Sequence, residues 1–285
     1  MTRAPVFRTS GIDETERFLV WVRENGEKLR QATEATSRHL RLQEVRPQAV
    51  GSSVFLRFRF TTGDAMGMNM VTIACDRVVR ELIEPATGVQ CVALSGNYCV
   101  DKKPSAVNFQ EGRGKRIYAE AVLDGLTLKR CLKTDAESLV EVQYRKNLMG
   151  SIAAGSMGFN AQFANVVAAF FLATGQDPAQ VAEAAIGVTC VELRGSDGVF
   201  ASVYLPDVPL GAVGGGTALD TQKEALSLLG ITLDPEAPGA AALRLAEILG
   251  ATVLAGELSL LAAFTSGDLA SAHERLGRGR PSRAS

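Results

Sequence analysis

Residues 147–175, reading NLMGSIAAGSMGFNAQFANVVAAFFLATG, constrain the fold more than any other stretch. The second half is apolar nearly all round, and a helix of that kind has to be surrounded by protein. Its most apolar run, VVAAFFLAT at 166–174, falls short of the roughly 20 residues that a bilayer span needs. Asn160, Gln162 and Asn165 recur on or near one side of it. Buried amides need partners, so that side faces a ligand or a packed loop. The helix stops at Gly175-Gln176-Asp177-Pro178. Asp177 then sits at the negative end of a helix dipole, where a carboxylate needs a nearby cation, and a lysine is the natural candidate.

The candidate lysines lie in SGNYCVDKKPSAVNFQEGRGK, residues 95–115. Pro104 disfavours helix before it, so Asp101, Lys102 and Lys103 occupy an extended or turning segment. Two ammonium groups beside a carboxylate are either a solvated charged turn or a site for an anionic substrate. Thr36-Ser37-Arg38-His39 is a second polar patch, either a phosphate grip or a solvated turn. Residues 54–60 alternate cleanly, Val54, Leu56, Phe58 and Phe60 against Arg57 and Arg59, as a half-buried strand does. That strand runs into DAMGMNM at 64–70 and then a helix over 71–84. A glycine turn at a helix start can face a phosphate or carboxylate, although the methionines also suit a core. GAVGGGT at 211–217 lets backbone approach a bulky ligand, but it is not the GxGxxG of a dinucleotide fold.

Elsewhere the pattern predicts strands over 90–94, 117–122 and 199–205. It predicts helices over 13–31, with a capping box from Asp13 to Glu16, and over 126–140, 220–229, 240–249 and 255–264. A short last helix starts at Asp268 and carries His273. A shift near Ala93, from charged and aromatic to Gly/Ala-rich, marks a boundary between domains 1–93 and 94–285. A net charge of -1 supplies no basic field for nucleic acid. Five unpatterned cysteines read as reduced thiols, and two histidines argue against a His-built metal site, so no metal is expected. No signal peptide or membrane segment is expected, and the chain should be soluble.

Taken in order, residues 64–70, 95–115, 146–177 (KNLMGSIAAGSMGFNAQFANVVAAFFLATGQD), 213–217 (VGGGT) and 255–264 (AGELSLLAAF) resemble the 3-hydroxy-3-methylglutaryl-CoA (HMG-CoA) reductases of the eukaryotic type. The resemblance runs from Met1 to about His273. It implies an α+β protein: a small ferredoxin-like NADP-binding domain joined to a larger, mainly helical substrate domain. It implies NADPH-dependent reduction of HMG-CoA to mevalonate and CoA by a homodimer or homotetramer. By the same resemblance Lys102 holds the carbonyl oxygen, Asp177 tunes that lysine, and His273 protonates the leaving thiolate. Arg3, Ser95, Asp101 and Lys103 grip the substrate, with Asn165 beside them. Ser37 and Arg38 take the 2′-phosphate, and Asp64, Met66, Gly67, Met68, Asn69, Gly216 and Thr217 line the dinucleotide site.

The sequence departs from the family pattern at Gln162, where a histidine is usual, and at Phe109, where a tryptophan is usual. The family's catalytic glutamate, a subunit-pairing strand and the membrane anchor all lie upstream of the position matching Met1. The expectation is therefore an N-terminally truncated reductase of low activity. The alternative is a non-catalytic homologue that binds nucleotide or CoA ester, or pairs with a full-length enzyme. The expected location is the cytoplasm, or the cytosolic face of the endoplasmic reticulum if a longer form carries an anchor.

Overall fold

The computed structural model describes residues 1–266, so His273 and the helix expected from Asp268 lie outside the described residues. Two sheets organise the chain, each with its own apolar core. The first comprises β1 (Thr2–Arg3), β2 (Val6–Arg8), β3 (Arg41–Val50), β4 (Ser53–Thr61) and β5 (Gln90–Ala93). β1 and β2 both pair antiparallel with β4, while β3 and β5 form the two edges. Val54, Leu56, Phe58 and Phe60 of β4 are buried on one face, as the period of two requires. The other face breaks the pattern, because Arg57 is buried and paired with Glu111 at 2.5 Å.

Helices α1 (Ile12–Glu24), α2 (Gly26–Glu34) and α3 (Met68–Val78) close this core with Phe18, Val22, Leu29, Val71, Cys75 and Val78. The expected single helix over 13–31 is two helices, broken at Asn25 and Gly26. Its cap also differs. Gly11 is the N-cap, and Glu14 reaches back to accept the Ser10 N–H at 2.5 Å.

The second sheet has the order β6-β9-β8-β7, from β6 (Lys115–Leu123), β7 (Gly158–Phe159), β8 (Gly187–Arg194) and β9 (Gly198–Val208). β8 has no counterpart among the expected strands. Its helices include α4 (Ala106–Glu111), α5 (Ala136–Val142), α6 (Phe163–Thr174), α7 (Asp220–Leu228) and α8 (Ala240–Thr265). The helix expected over 126–140 is broken by Lys133, whose φ is +55°.

α6 was expected to be buried all round. It buries one stripe, Phe163, Val167, Phe171 and Thr174, and leaves Leu172 61% exposed. α8 replaces two expected helices and runs straight through Gly250 and Gly256. A Cβ on Gly250 would lie 2.6 Å from the Ile117 side chain, and one on Gly256 2.8 Å from that of Val166. These glycines let α8 press onto β6 and α6 instead of ending a helix. α8 is long and apolar enough to cross a membrane, yet it packs Leu245, Leu249, Val253 and Leu261 into the second core.

Candidate active site

Close backbone contacts bring three loops together. Gly175 ends α6 with a φ of +71°, and a Cβ there would lie 2.3 Å from the Gly216 carbonyl oxygen. A Cβ on Gly216 would lie 2.2 Å from the Gly175 oxygen, so neither position admits a side chain. The glycine loop is also tied to the first sheet's side of the molecule, since Ala212 N–H donates to the Asp64 carbonyl at 2.7 Å. The loops enclose a cleft of about 890 Å³, within the usual range for a ligand site. Arg3, Ser37, Met66, Gly67, Met68, Asn69, Asp101, Lys102, Asp177, Gly216 and Thr217 line it.

The turn carrying Lys102 is strained. Asn97, Val100 and Lys102 have φ of +64°, +49° and +64°, a region that costs non-glycine residues energy and most of all a β-branched one. Hydrogen bonds hold it there. Glu183 accepts the Lys102 N–H at 2.7 Å, and Asn108 donates to the Val100 carbonyl at 3.1 Å. Asp101 turns inward to accept from Gln180 at 2.8 Å and Arg113 at 3.1 Å. Lys102 is left pointing across the cleft, with Nζ 3.2 Å from Asp177 Oδ2. The cation that Asp177 requires is therefore present. Asp177 has a second partner as well, since it caps the following turn by accepting the Ala179 N–H at 3.0 Å. Both side chains remain open to solvent, at 44% and 34% exposure, so an anion can reach the ammonium.

Several expected site residues lie outside the cleft lining. Lys103 donates to the Asp101 carbonyl at 3.1 Å, because the left-handed turn at Lys102 swings consecutive side chains apart. Ser95 contacts the Cys99 sulfur at 3.4 Å, and Asn165 donates to Gln162 at 3.5 Å. Arg38 donates to His39 at 3.0 Å and lines a separate cavity of about 430 Å³ with Arg41 and Lys115. Asp64 caps α8, accepting the Gly239 and Ala242 N–H groups at 2.8 and 3.0 Å. His273 lies outside the described residues. Among the described residues, no three His, Cys, Asp or Glu side chains gather as a metal site.

A buried polar cluster behind the turn, Arg113, Glu183, Gln180 and Asp207, was not anticipated as part of the site. Its one legible signal was an aspartate at the end of an apolar strand, where a charge is rarely found. Burial pushes the Glu183 carboxyl up, against the pull of Arg113. Burial and the neighbouring Glu183 push Asp207 up to about 10. Burial alone would lower the Arg113 guanidinium, but Glu183 and Asp101 outweigh it and hold it above its ordinary value.

Comparison with known proteins decides the family. The family model described as "Hydroxymethylglutaryl-coenzyme A reductase" matches residues 1–278. The chain belongs to the HMG-CoA reductase family. It is 52% identical over 280 residues to a 3-hydroxy-3-methylglutaryl-coenzyme A reductase of Aeropyrum pernix, covering 98% of this chain and 66% of the relative. The like-named protein of Methanothermobacter thermautotrophicus is also 52% identical over 280 residues, with 98% and 69% covered. The chain thus spans about two thirds of these relatives' length. Among solved structures, it resembles the NADPH-bound class II reductase of Streptococcus pneumoniae with a TM-score of 0.67 and 17% identity, covering 93% of this chain and 71% of that one. At that identity the likeness concerns the fold.

Proposed function

We propose that the cleft binds HMG-CoA and NADPH and reduces the thioester to mevalonate with release of CoA. The observation that carries this reading is the Lys102 ammonium, set 3.2 Å from Asp177 on the open wall of the cleft. Two hydrides and two protons convert a thioester to a primary alcohol and a free thiol. NADPH, when bound, supplies the hydride. As hydride arrives the carbonyl oxygen becomes negative, and a cation fixed beforehand stabilises that charge without reorganising. Asp177 keeps the Lys102 ammonium aimed. Ser37, Met66, Gly67, Met68, Asn69, Gly216 and Thr217 would hold the nucleotide. The fit rests on backbone openness: Gly214 and Gly215 line the cleft, and nothing lies within 4 Å of where a Cβ on either would stand, so that loop leaves room for a bulky ligand. Roles for Arg3, Ser95, Lys103, Arg38, Asn165 and His273 belong to this same reading.

The βαββαβ succession of the first sheet reads as the ferredoxin-like nucleotide domain, with the boundary after Ala93. The type within the family is better taken as archaeal-like than eukaryotic, since both relatives at 52% identity are archaeal. We place the protein in the cytoplasm. A homo-oligomer fits the outer face of the second sheet, where Tyr118 and Val122 are 59% and 57% exposed. NADPH oxidation in the presence of HMG-CoA tests the activity. Lys102→Ala should lower kcat by about 10²–10³-fold. Unchanged turnover would overturn the assignment, and nucleotide binding without turnover in the parent chain would favour a non-catalytic homologue.

A further inference from the structure

The Lys102 turn rests on a carboxyl pair that the proposed chemistry does not use. Glu183, at 0% exposure, accepts the Lys102 N–H at 2.7 Å and the Arg113 guanidinium at 2.5 Å. Asn108 adds a longer contact at 3.4 Å. Asp207, also at 0% exposure, stands against Glu183. Both Asp207 oxygens are buried, and no N–H or hydroxyl of the described residues makes a well-formed hydrogen bond to either. The Asn108 amide comes near Asp207, but its N–H groups go to Val100 and Glu183. Arg113 and the Met1 amine are the cations that feel Asp207's charge, and the guanidinium is already committed to Glu183 and Asp101.

Two carboxylates in contact away from water cannot both ionise. The hydrogen-bond inventory decides which one keeps the proton. Glu183 faces three N–H donors and gains most as an anion. Asp207 has none, and a proton on it creates the missing donor. We propose that Asp207 is a neutral carboxylic acid donating its O–H to Glu183, and that the pair is a positioning device for Lys102. Its role as a device rests on the reading of Lys102 given above. With four donors in place Glu183 cannot rotate, and it pins the left-handed turn that aims Nζ at Asp177. Glu183 at the backbone N and Asp177 at Nζ hold Lys102 from both ends.

Infrared spectroscopy of the whole chain in light and heavy water tests the proton directly. The carbonyl stretch of a protonated carboxyl should be present in the parent at neutral pH and lost in Asp207→Asn. Asp207→Val removes the donor, while Asp207→Asn supplies an amide N–H in the same place. The Val variant should lose about 10²-fold in kcat through misplacement of Lys102, with NADPH affinity unchanged, and the Asn variant should be rescued. The Lys102 amine should also react faster with an acylating reagent in the Val variant, released from Asp177, and at the parent rate in the Asn variant. A protonated-carboxyl band that survives in Asp207→Asn overturns the proposal. So does an Asn variant as damaged as the Val variant, in kcat or in labelling. If Val fails to fold, the infrared band and the labelling rate of the Asn variant still decide. If Lys102→Ala leaves turnover intact, the catalytic reading falls alone, because neither the band nor the labelling depends on turnover.

Discussion

Truncating Glu257 should cripple folding although it touches neither Lys102 nor Asp177. Glu257 lies on α8 at 0% exposure, and among the described residues no cation pairs with it. It accepts the Ala161 N–H at 2.9 Å, the Gln162 N–H at 2.6 Å and the Thr189 hydroxyl at 2.5 Å. Those two amides lie at the N-cap of α6 and one residue ahead of it, so a carboxylate from a different helix stands at its positive end. Glu257→Ala strands two buried N–H groups at about 1–3 kcal/mol each, while the Thr189 hydroxyl can turn elsewhere. Loss of the anion at the dipole adds about 1 kcal/mol, and release from burying a charge offsets part of the total. The net cost should be about 3–5 kcal/mol, a large share of an ordinary domain's stability. Glu257→Gln keeps one carbonyl acceptor and should cost about 1–2 kcal/mol. Urea unfolding followed by circular dichroism reads both as shifts in midpoint at constant slope. An alanine variant within about 1 kcal/mol of the parent would show that α6 caps itself and refute the reasoning.

Gly175→Ala forces a left-handed alanine, about 1–2 kcal/mol, and overpacks the Gly216 carbonyl, about 1–3 kcal/mol more. NADPH fluorescence titration should show binding lost with the displaced loop, whereas Gly155→Ala, with φ +67° and open space around it, should pay only the conformational part and still bind. The pH dependence of stability should change in Asp207→Asn. Burial raises the folded-state value of Asp207 to about 10, so its stabilising proton is held fully below the unfolded value near 4 and that contribution is lost as pH rises toward 10. The Asn variant does not titrate, so its melting temperature should gain on the parent between about pH 5 and pH 9; parallel curves would mean that Asp207 is ionised.

Much of this was legible in the residues because it depends on near neighbours in the chain. The alternation at Val54–Phe60 dictated a half-buried strand, and Asp177 beside Pro178 dictated a carboxylate in need of partners. Long motifs in fixed order point to the family whose model matches residues 1–278. What stayed hidden depended on distance. Gly250 reads as a helix end in sequence, and only the pressure of Ile117 from β6 shows that it keeps α8 whole. Asp64 reads as part of a nucleotide loop, and only the fold delivers it to the first turn of a helix some 175 residues later. Arg113, Glu183 and Asp207 carry no local pattern that links them. Burial away from water creates their coupling, and burial is a property of the packed chain. The sequence determined which charges had to be compensated, and the tertiary structure chose their partners, because electrostatic partnership depends on separation in space and on the exclusion of water.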